Sequence, residues 1–221
     1  LLGPETKNEL PALIQACDGM VVLVAPKNSQ NYEQTYLETA KTITEALRDR
    51  VKPFYLVYTS STSVCEGAQS EWVTEDMPLN PSTNNGKILL ETENHYLNSR
   101  AAACILRLGG IYGPGRDLGS RARNLSGEEM QGTGEEATNH IHQDDVVEGI
   151  RYCLEYSLTG VYHLVNDDHP LRHQLYAQLC RDANIPEPLW KTDQSLPKKN
   201  GYKVCNKKIK DEGFVFKHLC L

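Results

Sequence analysis

Three pieces of sequence decide the fold: YTSSTSVCEG at Tyr58–Gly67, GKILLETE at Gly86–Glu93 and LRLGGIYGPGR at Leu106–Arg116. The first closes an apolar run, Phe54–Tyr58, with a cluster of small hydroxylated residues. The second opens a helix over Gly86–Asn98, with Asn84 or Asn85 available as its cap. The third ends a further strand, Ala102–Leu108, in a glycine pair. An apolar run that stops in Ser, Thr or Gly is the pattern of a strand buried on both faces whose end meets a ligand. Small residues there let backbone approach closely and offer hydrogen bonds.

Working outward, the same alternation continues. Gly19–Ala25 (GMVVLVA) is a valine-rich strand, and Asn31–Arg50 carries Tyr32, Tyr36, Ala40, Ile43 and Leu47 at helical spacing. Beyond the central block, Asp144 or Asp145 is positioned to cap a helix running to Tyr156, and Gly160–Val165 reads as a strand. Asp167 or Asp168 is expected to cap a helix with Pro170 in its first turn and Leu171, Leu175 and Leu179 on one side. Asn206 caps a short final helix that stops at Gly213. Residues Leu118–Thr138 are polar and glycine-rich and read as a long loop or lid. Strand–helix alternation with apolar strands predicts an α/β fold, a doubly wound parallel sheet with helices on both faces. Ligands bind such sheets beyond the carboxyl ends of the strands, which points to the loops Ala25–Asn31, Thr59–Glu66 and Gly109–Arg116.

Bulk properties narrow the function classes. The chain has 221 residues and a formal net charge of −6, with basic runs only at Pro197–Lys199 and Lys207–Lys210. That balance argues against nucleic acid as a partner. No apolar run reaches the roughly 20 residues of a membrane span. The seven cysteines are scattered and never form CxxC. They read as free thiols of a soluble protein in a reducing compartment, cytoplasm or plastid stroma. The chain opens on Leu1 without a visible leader, which reads as a fragment or a processed chain.

The ordered set VVLVAP, YTSSTSV, GKxxxE, LRxxxIYGPG and NHIHQDDV resembles the extended short-chain dehydrogenase/reductases, the NAD-dependent epimerase/dehydratase-like family, and within it the atypical members. The likeness covers Gly19 to Ala183. It implies a Rossmann-like sheet with a small C-terminal substrate lobe. Residues 1–116 would form a partial dinucleotide-binding core. Residues 117–221 would be a mixed segment of substrate-lobe loops with the late strand and helices of the core. The implied cofactor is NAD or NADP. Ser61 stands where the family hydrogen-bonds the reacting oxygen, and Lys87 where it holds the nicotinamide ribose. Thr83, four residues before Lys87, replaces the catalytic tyrosine. Ala25, Pro26, Ser60, Lys87, Gly109, Gly110 and Ile111 fall at cofactor positions. Tyr112, Arg116 and His142 fall at substrate positions, with Arg121 and Arg123 as weaker candidates for the role of Arg116. Gly110 also replaces a substrate-binding asparagine. His142 and Asp145 lie in the segment that closes the substrate lobe onto the core.

Two departures matter. A threonine hydroxyl does not exchange a proton near neutral pH as a phenol of lowered pKa does, and the lost help is worth about 10²–10⁴ in rate. Tyr112, Glu66 and Cys65 are alternative donors. Second, the strand–GxxGxxG–helix that cradles pyrophosphate is absent, and Gly19–Ala25 resembles the family's fourth strand. About three N-terminal strands are thus expected to be missing, leaving a sheet edge for a preceding segment or a partner chain to cover. The helix at Gly86–Ser99 matches one that relatives use for homodimerisation.

The functional reading is an NAD(P)-binding protein with oxidoreductase or epimerase-like hydride chemistry on a sugar nucleotide or small metabolite. The rival is a non-catalytic scaffold or redox-state sensor. RNA binding, known among distant relatives, is disfavoured by the charge. The plainer alternatives are strand-end hydrogen bonding for Ser60–Ser63, an i,i+4 pair with Glu91 for Lys87, loop bracing for Arg116, and packing for Trp72 and Trp190. His140 and His142 share one face of an extended segment, but a metal needs more ligands and Asp144 and Asp145 serve as caps, so no metal is expected.

Overall fold

The computed structural model describes residues 4–26, 31–68, 70–191 and 201–221. In chain order the elements are α1 (Pro4–Ala16), β1 (Gly19–Val22), α2 (Tyr32–Ala46), β2 (Tyr55–Ser61), β3 (Trp72–Val73), α3 (Asn84–Leu97), β4 (Ala102–Leu108) and β5 (Gly110–Tyr112). There follow α4 (Leu118–Leu125), β6 (Glu129–Gln131), β7 (His140–His142), α5 (Gln143–Tyr156) and β8 (Gly160–Leu164). The chain continues through α6 (Arg172–Ala183), β9 (Leu189–Lys191), β10 (Lys203–Val204) and α7 (Lys207–Asp211). No helix among the described residues is long and apolar enough to cross a membrane.

The central sheet is parallel and runs β1–β2–β4–β8, as the apolar strand pattern predicts. β1 pairs with β2 from Gly19↔Tyr55 to Val22↔Tyr58. Gly19 is required by that pairing, since a Cβ there would sit 2.7 Å from the Tyr55 carbonyl oxygen. Leu56, Tyr58, Ala103 and Ile105 of the sheet pack with Ala40 and Ile43 of α2, Leu47 at its C-cap, Tyr96 of α3 and Leu10 and Ile14 of α1. Burial of such aliphatic side chains stabilises by about 1.5–3 kcal/mol each.

Close packing divides the chain into two units. One comprises Leu1–Glu66, Pro78–Arg107 and Gly149–Tyr162, the other Gly67–Met77, Leu108–Glu148 and His163–Leu221. The second unit holds three two-stranded parallel pairs, β3–β10, β5–β7 and β6–β9.

Several local expectations are corrected. The first strand stops at Val22, and Leu23 beyond it is mostly exposed. The cap of α3 is Thr83, whose side-chain oxygen accepts from Gly86 N, not Asn84 or Asn85, which are helical. The stretch 118–138 is no structureless loop. Asp117 caps α4 through Gly119 N and Ser120 N, Arg123 closes back on Asp117 at 2.9 Å, and β6 pairs with β9. Asp144 and Asp145 lie inside the first turn of α5. Helix α6 begins at Arg172 with Leu171 as its N-cap residue, so Pro170 precedes the helix. Asn206 does occupy the N-cap of α7, but its amide serves Val165 O and Asp167 Oδ1 instead of the helix. Lysines of the 197–199 run and residues 27–30 of the first loop lie outside the described residues.

Candidate functional site

In the first unit, β2 delivers Ser60 and Ser61 to a 3₁₀ turn at Thr62–Cys65. Ser61 caps that turn, accepting from Ser63 N at 3.2 Å, which leaves its hydroxyl hydrogen for another acceptor. Ser60 points inward and donates to Glu93 Oε1 at 2.6 Å. Glu93 in turn takes a forked contact from Arg107, with Nε 3.1 Å from both carboxylate oxygens and Nη2 2.7 Å from Oε2. Glu93, Arg107 and Ser60 are all buried. One residue each from α3, β4 and β2 is thereby tied together, and the helix carrying Lys87 is held in register with the strand carrying Ser61. Charge-assisted bonds of this geometry are the strong class.

Thr83 begins α3. Its hydroxyl donates to Glu66 Oε2 at 2.7 Å while its oxygen accepts from Gly86 N at 3.2 Å. Ser82 reaches the other Glu66 oxygen at 3.5 Å. Thr83 is thus committed both as donor and as cap. Lys87, one turn along, is exposed, and no side-chain bond or ion pair occupies its ammonium among the described residues. Cys65 is buried. Ala25 and Pro26 lie in irregular chain after β1, Ala25 exposed.

The second unit holds the other candidates. Gly109 and Gly110 run beside β7, where Gly110 N bonds Asn139 O at 2.7 Å. A Cβ on Gly109 would stand 2.9 Å from Asn139 O, and one on Gly110 3.1 Å from the His140 ring. The glycine pair is therefore needed for chain packing. Ile111 pairs with Ile141. Tyr112 donates to Cys220 O at 3.1 Å, and burial pushes its phenol up, against a hydrogen bond involving Asn166. Its ring stands edge-on to His142 at 5.1 Å. Arg116 is exposed and closes a tight turn on Gly113, its N bonding Gly113 O at 2.9 Å.

Arg121, not Arg116, faces a cavity. That cavity, of about 210 Å³, is lined by Arg121, Arg172, His140, Thr138, Tyr176 and three leucines. Arg123, the other weaker candidate, is taken by Asp117. His140 is buried, with its Nδ1 unpartnered among the described residues. Burial first, and Arg121 next, push its pKa down to about 4, so the ring is neutral at physiological pH. The neutral imidazole lines this cavity together with two guanidinium groups, which can accept an anion. Arg172 was not singled out in the sequence. Its position at the first turn of α6, after a proline, is the one signal that could have drawn notice.

His142 stacks on His218 with ring centres 3.7 Å apart. Its Nδ1 accepts from Asp144 N at 3.2 Å and lies 3.5 Å from Asp144 Oδ2. Buried Asp145 accepts from Lys217 N at 2.7 Å and His218 N at 3.0 Å, which anchors the C-terminal segment.

A parallel sheet of this order with a Ser/Thr-rich strand end defines a Rossmann-like α/β fold. Comparison with known proteins agrees. Residues 22–199 match the RmlD substrate binding domain, and the chain belongs to that family. It is 32% identical to Protein YeeZ of Escherichia coli K12 over 205 residues, covering 90% of this chain and 72% of YeeZ. The fold is shared with the dTDP-glucose 4,6-dehydratase DesIV of Streptomyces venezuelae, solved with NAD bound. Its TM-score is 0.79 at 17% identity, covering 96% of this chain and 72% of DesIV. A putative NAD-dependent epimerase/dehydratase of Methylobacillus flagellatus aligns with TM-score 0.73 and 22% identity, covering 97% and 76%.

Proposed function

We propose that the chain binds NAD or NADP and supports hydride chemistry at a carbinol or ketone carbon of a small anionic substrate of the sugar-nucleotide type. The observation that carries this reading is Lys87, exposed and without a side-chain partner among the described residues, set one helical turn after Thr83 on a helix locked to the strand that ends in Ser61. The residues present fit the nicotinamide–ribose end of the cofactor. Lys87 would hold the ribose hydroxyls, and the free O–H of Ser61 would orient the reacting oxygen. Among the described residues of the first unit no glycine-rich strand–helix turn offers a pyrophosphate cradle. The cofactor, when bound, supplies or accepts the hydride. Thr83 is committed to Glu66 and to its helix, so Glu66, held by Ser82 and Thr83, is the carboxylate that takes the proton of a carbinol as it is oxidised.

Within the second unit, the Arg121–Arg172 cavity of about 210 Å³ is smaller than a usual whole-ligand site and suits a small anionic group. The test is thermal unfolding of the intact protein with NAD(H) and NADP(H), followed by an alcohol and ketone panel. A cofactor at 100-fold over Kd should add about 2.7 kcal/mol. Turnover abolished by Glu66→Gln supports the full reading. Binding without turnover on any panel member leaves the scaffold or sensor role. No stabilisation by either cofactor overturns the proposal.

A further inference from the structure

We propose that His142, Asp144 and His218 form a binding site for a divalent cation of the zinc class. This inference does not rest on the dinucleotide reading. Asp144 Oδ2 lies 3.5 Å from His142 Nδ1 and 3.5 Å from His218 Nε2. All three donor atoms fall within 4.8 Å of one another. A tetrahedral zinc ion with N and O ligands at about 2.0–2.2 Å sets neighbouring donors about 3.3–3.6 Å apart. Two edges of the coordination polyhedron are therefore already at metal-bound length. Closing the third requires the stacked rings, now tilted by 28°, to splay apart.

The hydrogen bonding favours a metal over a simple ion pair. Asp144 N donates to His142 Nδ1 at 3.2 Å, so a lone pair and not a proton faces that side. The Nδ1 lone pair and the Asp144 carboxylate thus converge with no hydrogen between them. A proton placed on Nδ1 would meet the Asp144 N–H head-on, whereas a cation displaces one long hydrogen bond and satisfies both acceptors.

The ligands are also held by their surroundings. His142 ends β7, which is paired residue by residue with β5. The segment bearing His218 is tied down by the Asp145 carboxylate through Lys217 N and His218 N, and by Tyr112 through Cys220 O. Such outer contacts orient metal ligands. Asp144 is exposed and His142 and His218 are half-buried, which leaves a fourth position open to water or an anionic ligand. The bound ion would clip the C-terminal segment to the start of α5.

The test uses the full chain stripped by chelator, with the exposed thiols of Cys17 and Cys220 changed to serine so that they cannot compete. Zn²⁺ is titrated by calorimetry and Co²⁺ by visible absorption. One equivalent with a four-coordinate cobalt spectrum is expected. Affinity should fall at least about tenfold in His218→Ala and in Asp144→Asn, and stay unchanged in His95→Ala. Circular dichroism of the stripped variants checks that they fold. Should a variant unfold, the imidazole NMR signals of the parent decide: Zn²⁺ must move those of His142 and His218 and leave the others in place. No binding, equal affinity in the variants, or unmoved His142 and His218 signals would overturn the site.

Discussion

Replacing Arg107 by methionine removes a buried cation that contacts Glu93 three times, at 3.1, 3.1 and 2.7 Å, with side-chain exposures of 5% and 1%. Among the described residues, the carboxylate then stays buried with the Ser60 hydroxyl, at 2.6 Å, as its remaining partner. Breaking a buried pair by removing one partner costs about 3–5 kcal/mol. The surviving Ser60 bond puts the expected loss near the lower end, about 3 kcal/mol. For a chain of this size that lowers Tm by roughly 6–12 °C. The double variant Arg107→Met/Glu93→Met removes both charges and should recover most of the loss, because the uncompensated carboxylate has gone. Urea unfolding of the parent, the single and the double variants measures both steps. Since this triad holds α3 against β2, the single variant should also weaken NAD(P) binding before it unfolds. A single variant within about 1 kcal/mol of the parent, or a double variant no better than the single, would refute the reasoning.

Further outcomes follow from other contacts. Thr83→Ala removes the α3 cap and the Glu66 bond and should cost about 1 kcal/mol by urea unfolding, while Thr83→Ser should keep both. Gly109→Ala forces a Cβ to within 2.9 Å of the Asn139 carbonyl and should destabilise by about 1–3 kcal/mol, a cost unrelated to any ligand. His140 has a folded pKa of about 4 against an ordinary 6.5, so the unfolded chain binds the extra proton between those values. Stability should therefore be unaffected by this group above pH 6.5 and fall as pH drops from 6.5 to 4, by about 3 kcal/mol in total. Urea curves of the parent at pH 7, 5.5 and 4.5 should show a slope that His140→Phe flattens.

The central sheet was legible because strand burial on both faces leaves unbroken apolar runs: Ala102–Leu108 was read to the residue, and the Ser/Thr end of β2 and the helix at Gly86 stood out. The first helix escaped notice, since Pro11 interrupts its apolar pattern. Helix α4 was hidden by Gly119, Ser120 and Asn124, weak helix formers, and depends on the Asp117 cap and the Arg123 return contact. Thr83 stands where the resemblance places a tyrosine, and the same hydroxyl serves as the cap of α3, a part that the tyrosine position does not signal. Arg172 beside Arg121 and His218 beside His142 are contacts between residues far apart in sequence, and no local pattern carries them. The NHIHQDDV motif displayed two imidazoles and two carboxylates but not the third ligand that faces them.

The most direct test of the account is calorimetric titration of NAD(H) and NADP(H) into the intact protein and into its Lys87→Met variant. The account predicts one site in the parent for at least one of these cofactors, with affinity reduced at least about tenfold in the variant while the fold, by circular dichroism, is retained. Equal affinity in parent and variant, or no binding by the parent, would contradict it.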